Sequence, residues 1–414
     1  MPSNSNASLL TATAAFAGGS LLTAVYMKYF SSKQAASFPA TNQDRTETVT
    51  TTTTVQYPHY DYDNDPKGSF TKICDMLIQE VIQTLPERYD LPKPEAEYLQ
   101  RMLEYNVKGG KMNRGMMVVE SGVLLFGRDN VDNTTLCRLA ILGWAIEWLQ
   151  AWLLVADDIM DSSVTRRGQP CWYKKISPWY IAINDAFTTE AFVFQILKKH
   201  FAYDANVLIQ LWDLMLETTL QTELGQLSDT LCDVLELKDL TPSRWELIVQ
   251  YKTSYYSFYL SVAFAMVLRG ITKQDAYDAA REILIIMGVY FQAQDDYLDC
   301  YATPEQLGKV GTDIQDKKCG WLFTKAYHEL CSPEQRNYLD KHYGKCKVGS
   351  TEEQKIKELY TSLGLPQMYQ EYEQASYDKI MSLRDSQAGA TLAAAGVPWE
   401  VFETFLRKVY KRSM

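Results

Sequence analysis

The sequence predicts an all-α protein built around one large helical core. From residue 69 almost to the end, apolar residues recur every three or four positions, the period of amphipathic helices. Segments that alternate apolar and polar residues, as strands require, are missing. The most apolar stretches, at 136–156, 206–227, 246–270 and 281–299, are too long for strands, and polar residues interrupt each of them. We therefore expect buried central helices, surrounded by neighbouring helices, rather than membrane spans.

The composition argues against several kinds of protein. The 414 residues carry a net charge of -10, which disfavours nucleic acid as the main partner. Hydrophobic residues make up 46% of the chain, enough for a sizeable core. The eight cysteines form no CxxC pair, so reduced thiols in a cytosolic domain are favoured over a zinc site or a disulfide framework.

The N-terminal region divides the chain into three predicted parts. Residues 9–27 contain no charged side chain and could just span a bilayer core of about 30 Å, so we expect 1–30 to be a membrane anchor or a targeting segment, with 7–30 as the apolar part. The lysines and arginine that follow would leave the rest in the cytosol, with the endoplasmic reticulum as the expected membrane. A cleaved targeting peptide, giving an organellar or soluble protein, is the alternative. Residues 31–68 read as a disordered Thr-rich linker, and 69–414 as the catalytic domain.

A cluster of three carboxylates ends the first long apolar stretch that is predicted to be helical. Asp157 and Asp161 are four residues apart and share one helix face, with Asp158 beside them. Clustered carboxylates repel each other unless a cation lies between them, and Mg²⁺ is typically held by one or two carboxylates together with water and substrate phosphates. Arg166 and Arg167 follow with donors suited to phosphate oxygens. One such motif alone is weak, because acidic helix ends are common.

A second motif of the same form makes a surface turn improbable. Asp295, Asp296 and Asp299 repeat the spacing on another apolar helix. A glutamine precedes each motif on the same predicted face, Gln150 before the first and Gln292 before the second. Together the two motifs predict a Mg²⁺-dependent site for a phosphorylated substrate.

Further polar groups interrupt the apolar pattern. Lys111 and Arg114 lie in a glycine-rich helix start, GGKMNRG, which can cradle an anion or simply be a surface helix end. Lys252 and Thr253 interrupt an apolar helix, where a lysine is costly unless it meets an anion. The segment GQLSD at 225–229 places Gln and Asp on one helix face, either as a structural pair or as part of the same cavity. Lys309 and Lys318 follow the second motif as the two arginines follow the first.

These motifs together resemble those of the trans-prenyltransferases, most of all the eukaryotic farnesyl diphosphate synthases. The match rests on GGKMNRG at 109–115, LLVADDIMDSSVTRRGQPCWY at 153–173, GQLSD at 225–229, YKTSYYSFYL at 251–260, FQAQDDYLD at 291–299, GKVGTDIQDKKCGW at 308–321 and YKR at 410–412. They follow the family's order and spacing from about residue 70 to the end. The resemblance implies a helical bundle of the isoprenoid synthase type with a central cavity, and a homodimer.

The resemblance also implies roles for individual residues. Asp157 and Asp161 would hold two Mg²⁺ ions and Asp295 a third, with all three aspartates of each motif expected in the catalytic site. The residues expected to contact the allylic substrate, dimethylallyl or geranyl diphosphate, are Arg166, Lys252, Thr253, Gln292, Lys309 and Lys318. Isopentenyl diphosphate would be held by Lys111, Arg114, Gln150 and Arg167, with Arg412 near the closing C-terminus. The implied reaction is head-to-tail condensation to farnesyl diphosphate.

The sequence departs from the family at the positions that precede the first motif. Farnesyl diphosphate synthases usually carry two aromatic residues where this chain has Trp152 and Leu153. Leucine leaves more room under a growing prenyl tail and tryptophan leaves less, so we expect the fifteen-carbon product to dominate, with a leak to ten or twenty carbons. Geranyl or geranylgeranyl diphosphate synthesis remains the alternative within the family.

Three other classes of protein share parts of this pattern. A di-iron carboxylate bundle needs Glu-x-x-His pairs, and none of the four histidines follows a glutamate at that spacing. A class I terpene cyclase shares the fold and the first motif, but its second motif normally mixes Asn, Ser or Thr with Glu. A non-catalytic, membrane-tethered partner subunit would be expected to have lost some of the aspartates or lysines, and here they are retained.

Overall fold

The computed structural model describes residues 55–303 and 310–410 of the chain. The first half of the described chain contains the following helices: Pro66–Tyr89 (α1), Lys93–Val107 (α2), Asn113–Phe126 (α3), Asn133–Met160 (α4), Trp172–Lys175 (α5), Ile181–Phe201 (α6) and Ala205–Thr230 (α7). In the described part, strand structure is limited to a hairpin of Thr165–Arg166 (β1) and Gln169–Pro170 (β2), paired antiparallel. The predicted all-α class is confirmed.

The second half continues as helices to the end of the described chain. They are Pro242–Val249 (α8), Leu260–Arg269 (α9), Gln274–Tyr301 (α10), Trp321–Lys325 (α11), Pro333–His342 (α12), Thr351–Ser362 (α13), Leu365–Ser382 (α14), Gln387–Ala394 (α15) and Glu400–Val409 (α16). A π-helical segment, Gln250–Tyr259, joins α8 directly to α9, and a shorter one, Ala326–Leu330, follows α11. Single 3₁₀ turns include Arg128–Asn130, Leu231–Val234, Leu237–Asp239 and Leu383–Asp385.

Helix α4 is the central element of the core. Its start is capped by the Asp132 side chain, which accepts from the Thr135 N–H, and most of its residues are buried against α3 and α6. By length and composition α4 is the one helix in the described chain that could cross a membrane, but 78% of its most apolar window is buried inside the protein. It is therefore the core helix that the sequence predicts, and its last turn carries the first acidic motif.

Glycine pairs let α3 pack closely on α4. A Cβ atom at Gly143 would lie 2.4 Å from the carbonyl oxygen of Gly115, so neither position has room for a side chain. Next to this contact the Trp144 ring stacks on Phe70 of α1 with ring centroids 4.6 Å apart, and its Nε1–H donates to the Phe70 carbonyl. This packing fixes the start of α3, which carries Arg114, against the middle of α4.

The last part of the predicted linker packs as part of the folded unit that begins at Tyr57. Tyr60 is buried and its N–H donates to Asn133 Oδ1 at 2.8 Å, while the Tyr57 hydroxyl lies 3.1 Å from His200 Nδ1. The folded unit therefore starts about twelve residues before position 69, because aromatic rings bury there without any helical period. The rest of the linker up to residue 54, and the predicted anchor or targeting segment, lie outside the described residues.

Candidate active site

The first acidic motif forms the end of α4. Asp157 lies in the last turn, and its carboxylate accepts from Gln226 Nε2 at 3.0 Å, Arg166 Nη2 at 3.2 Å and Lys252 Nζ at 3.3 Å. Asp161 is the C-cap residue of the helix and lies 3.3 Å from Lys318 Nζ. Cations from the hairpin after α4, from the π-helical segment and from the loop after α10 thus meet at the carboxylates that the sequence had placed on one face.

Asp158 has a different role from its neighbours in the motif. It is buried, and it accepts from Arg166 Nε at 2.9 Å and from Nη2 at 2.5 Å. Burial alone would lower the pKa of Arg166, but the two aspartates raise it above its ordinary value. Asp158 was expected in the catalytic site; in the structure it holds Arg166, at the start of the hairpin, against the end of α4.

Asp229 of α7 joins the two lysines of the cluster. Its Oδ2 accepts from Lys252 Nζ at 2.6 Å and from Lys318 Nζ at 3.1 Å. Burial would raise the pKa of Asp229, but the two ammonium groups outweigh it and the pKa is lowered. The sequence left open whether Gln226 and Asp229 were structural or lined the cavity; both belong to this cluster. In the sequence, these two residues stand out as a polar pair on an otherwise apolar helix.

The π-helical segment positions Lys252 and the partly buried Thr253. Its backbone lies against α7, where a Cβ atom at Gly225 would lie 2.1 Å from the Lys252 backbone nitrogen. Only glycine permits this approach. Inserted π-turns are frequent at functional sites because they redirect side chains, and here the turn directs the Lys252 ammonium group to Asp157 and Asp229.

The second motif forms the end of α10, and its three aspartates have different surroundings. Asp295 is partly exposed. Asp296 is buried and accepts from Trp245 Nε1 at 2.8 Å, from the Trp321 N–H at 2.7 Å and from Gln292 Nε2 at 3.1 Å. Burial raises its pKa to about 7 in spite of these donors. Gln292, expected at the allylic substrate, therefore also orients Asp296.

Asp299 anchors the loop that follows the second motif. Its Oδ2 accepts from the Asp313 N–H at 3.0 Å, and a Cβ atom at Gly311 would lie 2.0 Å from the Asp299 carbonyl oxygen. Asp296 and Asp299 were expected to act in catalysis, and that role stays a prediction; in the structure Asp296 accepts from the Trp321 N–H and Asp299 from the Asp313 N–H. Through these bonds Asp296 and Asp299 also position the segments that follow α10.

The loop after α10 connects the two motifs. Lys318 reaches Asp161 of the first motif, and three residues later the backbone N–H of Trp321 binds Asp296 of the second. The two acidic motifs, far apart in sequence, therefore contact the same four-residue stretch. Lys309 and Arg412 lie outside the described residues, so their predicted roles stay predictions.

The residues expected to hold isopentenyl diphosphate lie around the start of α3. Arg114 Nε donates to Ser257 Oγ at 2.8 Å, and its guanidinium lies 5.0 Å from the centre of the Tyr256 ring. Gln150 Nε2 lies 3.4 Å from the hydroxyl of the same tyrosine. Arg114 and Gln150 are thus brought together by Tyr256, which the sequence did not single out as a site residue.

Arg167 and Lys111 border the same region from the other side. Arg167 Nη1 donates to the carbonyl oxygens of Asn106 at 3.1 Å and Lys108 at 3.0 Å, in the turn before Lys111, which is itself exposed. Behind the two arginines lies the buried Glu147, whose Oε1 accepts from the Gly115 N–H at 2.9 Å. Burial raises the pKa of Glu147, and the charges of Arg114 and Arg167 only partly offset this. Sequence reasoning missed Glu147.

A cavity of about 360 Å³ opens beside the first motif. Asp157, Lys252 and Gln150 border it, and the remaining lining is mostly apolar: Trp152, Leu153, Leu154, Ala156, Met160, Thr222, Glu223, Gln226, Leu227, Thr230 and Tyr256. Trp152 is buried, and its Nε1 has no hydrogen-bond partner among the described residues. The cavity is lined by charged groups as well as by a mostly apolar wall, which suits a ligand with an anionic head and a hydrocarbon tail.

The donor set fits Mg²⁺. Burial raises the pKa of Asp161 and the adjacent Asp157 raises it further, so Lys318 does not fully compensate the negative charge there. Among the described residues no three His, Cys, Asp or Glu side chains converge closely enough to hold a metal ion alone. Mg²⁺ commonly completes its shell with water and substrate phosphates, so one or two carboxylates are sufficient protein ligands.

Comparison with known proteins agrees with this geometry. The chain matches the polyprenyl synthetase family over residues 96–363. It is 45% identical to a farnesyl pyrophosphate synthase of Saccharomyces cerevisiae, over 83% of this chain and 97% of the yeast protein. It is 44% identical to farnesyl pyrophosphate synthase 2 of Arabidopsis thaliana, over 84% of this chain and 99% of that protein. The T. brucei farnesyl diphosphate synthase complexed with risedronate superposes with a TM-score of 0.74 at 30% identity, covering 84% of this chain and 99% of that one.

The chain belongs to the polyprenyl synthetase family and is a prenyltransferase. The predicted family resemblance and the isoprenoid synthase fold are both confirmed. Enzymes of this family generally depend on Mg²⁺. The assignments of single residues to substrates and metals remain predictions.

Proposed function

We propose that this prenyltransferase condenses isopentenyl diphosphate with dimethylallyl diphosphate and then with geranyl diphosphate, giving farnesyl diphosphate. The observation that carries the proposal is the cluster of Asp157, Asp161 and Asp229 with Lys252 and Lys318. Two members of this cluster, Asp157 and Lys252, line a mostly apolar cavity. The relatives named farnesyl pyrophosphate synthase, similar along almost their whole length, support the fifteen-carbon product.

Three Mg²⁺ ions per site would be held by Asp157, Asp161 and Asp295. When bound, the metal would neutralise the negative charge of the diphosphate leaving group. Lys252 and Lys318 now pair with those carboxylates and with Asp229. Because a metal ion would satisfy the carboxylates, the two ammonium groups and Arg166 become available to the diphosphate oxygens of the allylic substrate.

The ionisation step depends on lysine ammonium groups that the fold already holds in position before the substrate binds. Lys252 is partly buried, and although burial lowers its pKa, Asp229 and Asp157 raise the pKa above the ordinary value, so the group stays cationic. The same holds for Lys318, whose pKa Asp229 and Asp161 raise. Fixed cations beside a leaving diphosphate stabilise the charge that develops as its carbon–oxygen bond breaks. Gln292 and Thr253 offer dipoles to the carbocation without a strong nucleophile.

The condensation step needs isopentenyl diphosphate held beside the allylic carbon. Arg114, Gln150 and Arg167, with the exposed Lys111 at the entrance, provide donors for its diphosphate. Its double bond attacks the carbocation, and the departed diphosphate takes the proton that is then lost. No histidine is needed as a base, which agrees with the position of all four histidines outside the motifs.

Product length follows from the cavity wall. Trp152 and Leu153 both line the cavity, together with Leu154 and Met160. The indole of Trp152 limits the depth available to the tail, and this supports a fifteen-carbon product over a twenty-carbon one. Geranyl diphosphate would be the main product if the ring overfills the space.

A second copy of the chain is the proposed partner. Five leucines at helical spacing on α7 and just beyond it are each about half exposed: Leu216, Leu220, Leu224, Leu227 and Leu231. Such an apolar stripe is unusual on a monomer surface and suits an isologous helix pair. Sedimentation should give about twice 47.4 kDa for the wild type, and Leu220→Glu should give the monomer; a monomeric wild type would contradict the dimer.

For localisation we propose a membrane anchor at residues 7–30, with the catalytic domain on the cytosolic side. The support is the uncharged run 9–27, followed by Lys28 and Lys33. A fusion of residues 1–45 to a fluorescent reporter should become membrane-bound, with the reporter in the cytosol. A soluble reporter, or one shortened by cleavage, would favour a targeting peptide.

The decisive experiment is product analysis. The full-length chain is incubated with isopentenyl and dimethylallyl diphosphates and Mg²⁺, and the products are dephosphorylated and separated by length. Farnesol should dominate, and chelation of Mg²⁺ should stop the reaction. Geraniol or geranylgeraniol as the main product would assign a different synthase within the family. A cyclic hydrocarbon would indicate a terpene cyclase, and no condensation would indicate a non-catalytic subunit.

A further inference from the structure

A buried carboxylate on α6 lies outside the candidate active site. Asp185 is 1% exposed, and its Oδ2 accepts from the Tyr98 hydroxyl at 2.6 Å and from Trp172 Nε1 at 2.7 Å. Its Oδ1 has no hydrogen-bond partner among the described residues. Burial raises the pKa of Asp185, and the two donors only partly offset this. Both donors are uncharged, so burial of this carboxylate costs stability that packing alone does not require.

Trp172 is the residue through which Asp185 contacts the hairpin of β1 and β2. The Trp172 ring is buried, and the residue lies two positions after Pro170, where β2 ends. The two strands have two residues each, and they pair Arg166 with Gln169. Because an isolated hairpin this short is not stable in water, contacts at its ends have to hold it.

The turn of the hairpin also needs support from outside. Arg167 and Gly168, which lie between the two strands, have positive φ angles of 54° and 74°. Glycine adopts this left-handed conformation freely, whereas an arginine in the same conformation is strained. The surrounding structure must therefore hold the backbone of Arg167 in place.

Asp185 holds both sides of the contact that Arg167 makes. Arg167 Nη1 donates to the carbonyl oxygens of Asn106 and Lys108, at the C-terminal end of α2. Tyr98, one of the two donors to Asp185, belongs to the same helix. The other donor follows the hairpin that carries Arg167. One carboxylate oxygen thus joins the helix that receives this arginine to the hairpin that presents it.

Arg166, the neighbouring arginine, is held in a different way. Its Nε donates to Asp158 at 2.9 Å, and its Nη2 donates to Asp157 at 3.2 Å. Two aspartates of α4 therefore fix Arg166 independently of Asp185. Because Arg166 is assigned to the allylic substrate and Arg167 to isopentenyl diphosphate, loss of the Asp185 contact should affect the second substrate more than the first.

We propose that Asp185 is a positioning residue for isopentenyl diphosphate: through Trp172 and Tyr98 it fixes Arg167 at the diphosphate of that substrate. The role of Arg167 at this diphosphate belongs to the proposed function, on which the positioning role rests. Asp185 itself touches neither substrate. Its charge is not required, since an uncharged amide oxygen can accept the same two hydrogen bonds.

The test compares Asp185→Ala with Asp185→Asn in the full-length protein. Alanine removes the acceptor, so the KM for isopentenyl diphosphate should rise about tenfold or more, because a small displacement of a binding group is costly. The KM for the allylic substrate and kcat should change much less. Asparagine keeps an acceptor oxygen and should restore the KM to near the wild-type value. Calorimetric titration with isopentenyl diphosphate gives the same comparison without turnover.

Two further variants separate positioning from a general loss of stability. Trp172→Phe removes the N–H donor but keeps an aromatic ring, so it should show the same selective rise, and adding Asp185→Ala to it should change little more. Thr189→Val is the matched control. Thr189 is buried one turn further along α6 and donates to the Asp185 carbonyl oxygen, so its loss costs stability without releasing the hairpin. Circular dichroism checks that each variant folds.

The possible outcomes distinguish the two proposals. A wild type that does not bind isopentenyl diphosphate would contradict the proposed function, and the positioning role with it. If the wild type binds this substrate, an unchanged KM in both Asp185→Ala and Trp172→Phe would overturn only the role of Asp185. An equal rise in KM for both substrates, or the same selective rise in Thr189→Val, would also overturn it.

Discussion

A Cβ atom added at Gly225 would lie 2.1 Å from the backbone nitrogen of Lys252, which is too close for any side chain. Only glycine therefore fits at position 225. This contact between α7 and the π-helical segment decides where the Lys252 ammonium group lies. From there it reaches Asp229 at 2.6 Å and Asp157 at 3.3 Å. A residue without a side chain thus sets the position of the cation at the centre of the site.

Replacing Gly225 by alanine should harm activity more than stability. The added methyl group must push the two backbones apart, which costs about 1–3 kcal/mol as overpacking and lowers Tm by several degrees. Turnover should fall by about tenfold or more, since Lys252 moves away from the carboxylates. Ser228→Ala, in the same turn of α7, is the control. Unchanged turnover in Gly225→Ala would show that this contact does not position Lys252.

Asp157→Ala and Asp295→Ala should each reduce turnover by several orders of magnitude while helicity stays unchanged. Each removes a carboxylate proposed to hold Mg²⁺, and Asp157 also loses its contacts with Lys252 and Arg166. Steady-state kinetics and circular dichroism measure the two effects. Asp213→Ala, an exposed position on α7, serves as the control. Near-normal turnover in either site variant would contradict the two-motif mechanism.

Lys111→Ala should chiefly raise the KM for isopentenyl diphosphate. An ammonium–phosphate contact is worth about 1.5–3 kcal/mol, so the rise should be about tenfold or more, with a smaller effect on kcat. Lys93→Ala removes a lysine from an exposed surface pair and should leave both constants unchanged. An increase confined to the KM of the allylic substrate would mean that the two diphosphate sites are assigned in reverse.

Trp152→Ala should lengthen the product. The ring is buried in the wall of the cavity, and its removal opens space below the first motif without touching the carboxylates. We expect the main product to shift to twenty carbons or more, measured by chromatography of the dephosphorylated alcohols. An unchanged product spectrum would place the steric stop elsewhere, and Leu153→Phe, which narrows the same wall, should shorten the product instead.

Glu80→Gln should weaken the start of the folded unit in a pH-dependent way. Glu80 Oε2 lies 2.9 Å from His200 Nε2 and 3.2 Å from Lys199 Nζ. Burial would raise the pKa of Glu80, but these two partners outweigh it and the pKa is lowered. The carboxylate therefore stabilises the fold above its unfolded pKa of about 4.3, and this contribution is lost as the pH falls through the lower folded value.

The measurement is the free energy of unfolding by urea at several pH values. At pH 7 the variant should be less stable than the wild type by about 1–3 kcal/mol, and the difference should shrink on acidification below about pH 4. Glu97→Gln removes an exposed carboxylate and should show no such difference. A stability difference that is constant with pH would mean that the charge of Glu80 does not contribute.

Much of the fold could be predicted from local spacing. The period of apolar residues determined that α4, α7 and α10 are helices, because burial on one side imposes that period whatever the partner. The spacing of Asp157 and Asp161 likewise determined that two carboxylates share a face at the end of α4. The aromatic segment at Tyr57 and Tyr60 could not be found this way, since its rings bury without a regular repeat.

The tertiary structure decided which of the predicted groups meet and which turn inward. Asp296 and Asp299 read in the sequence like Asp295, yet their hydrogen bonds go to Trp321 and Asp313 and position neighbouring segments. Asp229 contacts two lysines only because packing brings Lys252 of the π-helical segment and Lys318 of the loop after α10 to the end of α7. The physical reason is separation along the chain. Helical periodicity depends on residues three or four positions apart, whereas the partner of a buried charge can come from any segment that tertiary packing brings close to it.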